Sequence, residues 1–107
     1  MILAKVFSKN GIAIRLTDER WQHITLSHQE INAADFLHIT KVVENPDIIL
    51  KGDTGELLAI KKEARKQVWI VVAYKEVSHD DGFIITAYIT TDSRWLFQRE
   101  VLWDKTS

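Results

Sequence analysis

The sequence predicts an α+β fold in which two N-terminal helices pack on one face of a roughly four-stranded antiparallel sheet, with a small N-terminal β-hairpin before them. Two observations support this fold class. Apolar residues recur with helical spacing between residues 17 and 45, and from residue 48 onward they alternate or form short β-branched runs. Helices followed by an antiparallel meander make an α+β arrangement, and 107 residues are the length of a single domain, 1–107.

The hairpin is predicted from Asn10 and Gly11, which lie between the apolar segments 4–7 and 12–16. An Asn-Gly pair between apolar runs is the strongest short signal for a tight turn that joins two strands. The hairpin either stands apart or covers an edge of the larger sheet.

The first helix is predicted to begin after Thr17, because hydroxyl side chains cap helix N-termini by accepting a backbone hydrogen bond. At about 100° per residue, Trp21, Ile24 and His28 share one face of this helix. His23 points to the opposite side. The helical phase therefore predicts that His28 lies beside the core and that His23 lies in solvent.

The second helix is predicted to be capped by Asn32, with Asp35 at the third position, where a carboxylate can accept a hydrogen bond from the cap. Its inward stripe contains Ile39 and Val43. Pro46 ends the helix, because the residue before a proline avoids the helical conformation.

The second half of the chain is predicted to form strands at residues 48–50, 57–61, 68–74, 83–91 and 101–103. The run 68–74 is almost wholly apolar, which is typical of a central strand buried on both faces. One helical turn is predicted within residues 92–98, before the last strand.

The run 83–91 is predicted to be the antiparallel neighbour of the central strand. Side chains alternate between the two faces of a strand. Thr86 and Tyr88 therefore share a polar-aromatic face, whereas Ile85 and Ala87 share a core face.

The composition excludes several classes of function. The chain has no cysteine, which removes disulfides, thiolate metal ligands and a cysteine nucleophile, and it contains neither a Gly-x-Ser-x-Gly motif nor a glycine-rich phosphate loop. Its net charge of −1 shows no overall basic excess, so a nucleic-acid role needs a local basic patch. We expect a cytoplasmic protein, because the sequence has no apolar run long enough for a membrane span and no recognisable signal peptide.

No metal ion or other cofactor is expected. His23 and His28 are five residues apart, about 140° around a helix, and cannot easily chelate one ion. Proton transfer remains, because histidine is the one side chain whose unperturbed pKa lies near neutral pH.

Metal-free RNA cleavage requires a base for the 2′-hydroxyl, an acid for the 5′-oxygen leaving group, and a cation or hydroxyl that stabilises the phosphorane. The candidate catalytic residues are His28, His23, Thr86, Tyr88, Arg99 and Arg94. The candidate substrate-binding residues form a basic cluster, Lys61, Lys62, Arg65 and Lys66. Each candidate also has an ordinary structural explanation. His28 can be a core histidine, and Thr86 and Tyr88 can be present because they favour strands. His23 and the arginines and lysines can simply be solvated surface residues.

Four short motifs follow one another in the chain: Trp21-Gln22-His23-Ile24, His28, Glu44-Asn45-Pro46-Asp47 and Thr86-Ala87-Tyr88. Their order and spacing, from about residue 17 to residue 103, resemble the phage- and toxin-associated nuclease-like domains of the barnase–EndoU–colicin–RelE superfamily. The resemblance implies N-terminal helices on a four-stranded antiparallel sheet, and metal-independent RNA cleavage. It implies His23, His28 and Thr86 as site residues, with a basic residue near the C-terminal end of the sheet. RNA and an antitoxin or immunity protein are the partners it implies.

Three hypotheses remain open at this point. A small endoribonuclease or toxin-like RNase requires His28 to lie partly exposed in a cleft beside Thr86 and Tyr88, within reach of a basic side chain. A non-catalytic interaction module, or a homodimer formed through residues 95–97 and the last strand, requires a sizeable exposed apolar surface. A small-molecule pocket between helices and sheet is neither supported nor excluded.

Overall fold

The computed structural model describes residues 1–63 and 67–106. The strands and helices in these ranges are β1 (Ile2–Phe7), β2 (Ala13–Thr17), α1 (Asp18–Ser27), α2 (Phe36–Glu44), β3 (Ile48–Lys51), β4 (Leu57–Glu63), β5 (Val68–Glu76), β6 (Gly82–Thr90) and β7 (Val101–Asp104). Single 3-10 turns precede α2 at Ala33–Asp35 and β7 at Leu96–Gln98.

Within the described residues, seven strands form one mixed sheet in the order β1-β2-β6-β5-β4-β3-β7. Every neighbouring pair is antiparallel except β2 and β6, which run parallel. The prediction of two helices on a roughly four-stranded antiparallel sheet is therefore wrong. The N-terminal hairpin lies where the Asn-Gly turn predicts it, but it adds two strands to the main sheet, and β7 adds another beside β3.

The parallel pair is short, joining only Ile14 to Gly82 and Arg15 to Phe83. Gly82 permits this close approach, because a Cβ atom there would lie 2.6 Å from Ile14 Cδ1 and collide with the carbonyl oxygen of Lys75. Beyond Phe83, α1 packs against β6 in place of a strand. The backbone N–H of Ile89 donates to the Glu30 carboxylate, which follows this helix, at 3.4 Å.

α1 begins at its predicted cap, and the predicted cap of the second helix begins the 3-10 turn that precedes α2. The Thr17 hydroxyl accepts a hydrogen bond from the Arg20 backbone N–H, and α1 follows immediately. Asn32 and Asp35 form a reciprocal capping box at the 3-10 turn that leads into α2. Capping side chains satisfy backbone N–H groups that have no partner inside a helix, which explains why these two boundaries were predictable.

The middle of the sheet is buried on both faces. The inner face carries the helices, and its core includes Ile24, Ile39, Val43 and Val72. The opposite, outer face has a smaller core of strand residues that Leu96 covers, including Val71 and Ala73. Because neighbouring residues of β5 divide between these two cores, the prediction of a strand buried on both faces is confirmed.

One predicted side-chain direction is wrong. Ile85 packs into the outer core, whereas Ala87 lies in the inner core. The cause is a shift of register between β5 and β6: Ala73 lies opposite Thr86, but the next residue, Tyr74, lies opposite Ile84. Ile85 is the extra residue of this bulge, and a bulge interrupts the alternation of side chains.

Candidate functional site

The outer face carries a row of aromatic rings that ends at an arginine. The Tyr88 ring stacks on Trp95, with centroids 6.1 Å apart and planes at 23°. His28 contacts the same tyrosine from the end of α1, with ring centroids 5.8 Å apart. The Arg99 guanidinium lies over Trp95, at 5.6 Å from the ring centroid. The fold thus brings four polar or aromatic side chains together from three separate segments.

These rings border a pocket of about 200 Å³, which we call the ring pocket. It is lined by Gly52, Asp53, Glu56, Leu58, Ala73, Thr86, Tyr88, Trp95 and Arg99. The β3–β4 turn and strands β4, β5 and β6 provide most of its wall. Leu96, fully buried in the outer core, holds its neighbour Trp95 over the sheet.

Arg99 is bound by a carboxylate. Its Nη1 and Nη2 atoms donate to the two Asp53 oxygens at 2.8 and 3.0 Å, and Nη1 also lies 3.4 Å from the Lys51 carbonyl oxygen. Nε is buried and has no hydrogen-bond partner among the described residues. The hydrogen bond and the charge of Arg99 lower the pKa of Asp53, so the pair is ionised at neutral pH and most of the cation's charge is compensated.

Glu56 is a second carboxylate in the ring pocket. It accepts hydrogen bonds from the Thr54 backbone N–H at 2.8 Å and from the Thr54 hydroxyl at 2.9 Å. These two bonds lower the pKa of Glu56. Glu56 is ionised at neutral pH and is the candidate general base of the pocket, and its lowered pKa makes it a weak one.

Two hydroxyl groups face the same space. Burial raises the pKa of Tyr88, an effect that the nearby Arg99 charge partly offsets, so the phenol stays protonated at neutral pH and can donate a hydrogen bond. The Thr86 hydroxyl oxygen is buried and has no hydrogen-bond partner among the described residues. Both residues line the ring pocket.

His28 adjoins the ring pocket without lining it. Its side chain is 32% exposed, and its Nδ1 atom lies 3.6 Å from a Glu30 carboxylate oxygen. His23 is exposed, as the helical phase predicts. The phase does not decide the placement of His28, because this residue follows the last residue of α1 with non-helical dihedral angles and contacts Tyr88 of the outer face, whereas Ile24 lies in the inner core. The imidazole is therefore neither sealed in the core nor free of other partners.

The remaining candidates lie elsewhere. His23 and Arg94 are exposed and are not among the described residues that line the ring pocket, and Arg94 pairs with its neighbour Asp92 at 3.7 Å. Three of the candidate catalytic residues identified from the sequence, Thr86, Tyr88 and Arg99, line one pocket in the structure.

The predicted basic cluster forms a different site. Lys61 donates to the Asn45 carbonyl oxygen at 3.1 Å and lies 3.6 Å from Asp47. Lys62 lies over the Trp69 ring, at 5.4 Å from its centroid. Both lysines line a separate pocket of about 110 Å³ beside α2. Arg65 and Lys66 lie outside the described residues.

Glu56 and Asp53 were not identified from the sequence, and Trp95 was considered only as part of a possible homodimer surface. The two acidic residues stand in a glycine-containing turn between strands, where charged residues are usual, and Trp95 precedes a short apolar turn. The sequence carries no signal that would place them beside Tyr88, because strand pairing and the fold of residues 92–99 bring them there.

In residues 1–63 and 67–106 no helix is long and apolar enough to cross a membrane, and no three His, Cys, Asp or Glu side chains form a group that could hold a metal ion. Comparison of the chain with family models, curated proteins and solved structures gave no match.

Proposed function

We propose that this protein is a metal-independent endoribonuclease of the barnase–EndoU–colicin–RelE type and that RNA is cleaved at the ring pocket. One observation carries the proposal: Thr86, Tyr88 and Arg99 come from distant positions to line one pocket, with the imidazole of His28 against the tyrosine ring. Metal-free phosphodiester cleavage requires proton-transfer groups, a cation and hydrogen-bond donors such as hydroxyls.

The reaction assigned to the pocket is a transesterification. Glu56 takes the proton of the 2′-hydroxyl, whose oxygen attacks the adjacent phosphorus. The bond from phosphorus to the 5′-oxygen then breaks, and that oxygen takes a proton from His28, whose ring lies against Tyr88 at the edge of the pocket. The products are a 2′,3′-cyclic phosphate and a free 5′-hydroxyl, and the proton that Glu56 gains matches the proton that His28 loses. His23 has no part in this scheme.

The other groups act on the phosphate and on the bases. Thr86 and Tyr88 donate hydrogen bonds to a non-bridging oxygen as negative charge grows there. The stacked Tyr88 and Trp95 rings provide a surface for a nucleobase, an arrangement used by many proteins that bind single strands. The phosphate must compete with Asp53 for Arg99. This competition weakens the non-specific binding of other anions.

The test is incubation of purified protein with total RNA in the presence of a chelator. Wild type is compared with His28→Ala, Tyr88→Phe and the matched control His79→Ala, whose side chain is 92% exposed in the β5–β6 turn. Loss of a proton-transfer group should lower the cleavage rate by about 10²–10⁴-fold. Tyr88→Phe keeps the ring, so its loss of rate reports the hydroxyl alone.

Circular dichroism of each variant shows whether it is folded before the rates are compared. Cleavage that disappears in both site variants and persists in His79→Ala supports the proposal. Equal RNA loss in wild type and all variants would show that the pocket cleaves nothing.

A second candidate function is a non-catalytic interaction module, possible partners being an antitoxin, an immunity protein or a second copy. The two edge strands of the sheet favour it. β1 exposes Ile2, Leu3 and Phe7, and β7 exposes Val101 and Leu102. Exposed apolar edges invite pairing with another chain. Sedimentation across a range of concentrations tests self-association; a monomer throughout argues against the homodimer.

A further inference from the structure

A second pocket opens on the outer face, near the start of β6. It has a volume of about 230 Å³ and is lined by Arg15, Thr17, Arg20, Phe83 and Ile84. Arg15 and Thr17 point outward, because the residues between and beside them on β2, Ile14 and Leu16, are fully buried on the inner face. We call this the arginine pocket.

The two arginines of this pocket differ in their partners. The Arg15 guanidinium is bound by the Asp81 carboxylate and lies 5.8 Å from the centre of the Phe83 ring. Arg20 is exposed, and in the described part of the chain no ion pair engages its side chain. Arg20 is therefore the cation that a ligand can reach without displacing a carboxylate.

The surrounding charges leave the arginine pocket basic. Lys5 stands directly opposite Arg15 in the β1–β2 register and is exposed. Of the nearby acidic groups, Asp81 is occupied by Arg15, and Asp18 pairs with the N-terminal amine at 3.0 Å. Glu19 remains as an exposed carboxylate in the first turn of α1. A chain with a net charge of −1 thus carries a local basic patch on the same face as the ring pocket.

The two pockets are joined by one strand. Phe83 lies in the arginine pocket and Tyr88 in the ring pocket, both on β6. Five residues of a strand span roughly 16 Å at about 3.3 Å per residue. A few nucleotides of single-stranded RNA cover this length, so one strand can occupy both pockets.

The geometry points to the arginine pocket as a second nucleotide-binding subsite, where Arg20 binds a backbone phosphate and the flat surface of Phe83 and Arg15 stacks on the neighbouring base. The identity of the ligand as RNA rests on the function proposed for the ring pocket. Arginine with an aromatic ring is a common combination for phosphate and base recognition in single strands.

The experiment measures binding separately from cleavage. Fluorescence anisotropy is recorded with a 2′-O-methyl dinucleotide and a 2′-O-methyl octanucleotide, neither of which can undergo transesterification. Wild type is compared with Arg20→Gln, Phe83→Leu and the charge-matched control Lys105→Gln, which lies after β7. Salt titrations accompany each affinity, because every phosphate contact to a single strand contributes about −0.7 to the slope of log K against log salt.

Wild type should bind the octanucleotide more tightly than the dinucleotide. Arg20→Gln should lose about fivefold or more of the octanucleotide affinity and about 0.7 of its salt slope, with dinucleotide binding unchanged. Phe83→Leu should weaken octanucleotide binding by at least about fivefold through lost stacking. Lys105→Gln should match wild type.

The subsite is disproved if Arg20→Gln and wild type bind the octanucleotide alike, or if wild type gains nothing from the longer strand. Cleavage by wild type in either case leaves the proposed function intact. Conversely, if binding increases with strand length and requires Arg20 but the protein cleaves no RNA, the subsite is supported and the proposed nuclease function is contradicted.

Discussion

Truncation of Leu96 tests whether the outer core holds residues 92–99 on the sheet. Leu96 is fully buried and is the one buried residue of its 3-10 turn. It packs in a core with Leu50, Ile60 and Val71. Leu→Ala at buried sites costs 2–5 kcal/mol, from lost transfer free energy and the cavity left behind, so Leu96→Ala should lower the free energy of unfolding by about 3 kcal/mol.

Urea denaturation and thermal melting both measure this loss. With an unfolding entropy of about 2.1 cal/mol/K per residue, a 3 kcal/mol loss in 107 residues lowers Tm by about 13 °C. Leu26→Ala is the matched control, because the same side chain is 72% exposed on α1 and should cost less than about 0.5 kcal/mol. Similar losses in the two variants would refute the assignment of Leu96 to a core.

Three further changes concern single side chains. Tyr74→Phe removes a buried hydroxyl with no hydrogen-bond partner among the described residues, so urea denaturation should show stability unchanged or raised by up to about 1 kcal/mol. Asp53→Asn frees Arg99 and should raise the affinity for the 2′-O-methyl octanucleotide a few fold in anisotropy. Asp47→Asn removes the charge and one of the two oxygens that accept from Lys105 and from the Lys62 backbone N–H, so it should be less stable than wild type at pH 7 in urea.

The pH dependence of two of these changes has a definite sign. Burial raises the pKa of Tyr74, so above the ordinary value of 10.0 the phenol ionises first in the unfolded chain and the wild type loses stability as pH rises. Tyr74→Phe has no phenol to ionise and should not show this loss. Burial opposes ionisation of Asp47, but bonds from Lys105 and Lys62 outweigh it and lower the pKa. The difference between wild type and Asp47→Asn should therefore shrink as pH falls below 3.8.

Each of these results has an outcome that contradicts it. A Tyr74→Phe variant that is clearly less stable would show that the hydroxyl is bonded. Unchanged RNA affinity in Asp53→Asn would show that Asp53 does not compete with phosphate. A stability difference for Asp47→Asn that stays constant from pH 7 to pH 3 would mean that its ionisation is not linked to folding.

Local structure was largely predictable from the sequence. The caps at Thr17 and Asn32, the turn at Gly11 and the strand runs all depend on residues within a few positions of one another. The left-handed backbone of Gly11, with φ of 76°, is one such local requirement. Side-chain alternation likewise placed Thr86 and Tyr88 on one face before any pairing was known.

The pairing of the strands was not predictable in the same way. The parallel contact of β2 with β6 joins residues nearly 70 positions apart in the chain, at Ile14 with Gly82. Apolar periodicity shows that a strand has a buried face, but not which strand lies beside it. The same limit explains Ile85, whose direction depends on a bulge that exists only in the paired sheet.

The same distinction between local sequence and tertiary packing applies to the candidate site. The sequence by itself determined which side chains have useful chemistry and, through helical phase, that His23 is exposed. Only the tertiary structure decided that Arg99 and not Arg94 joins Tyr88, and that Glu56 and Trp95 lie with them. The physical reason is that Leu96 and strands β3 to β6 must bury their apolar surface together, and this packing carries the neighbouring polar groups into one pocket.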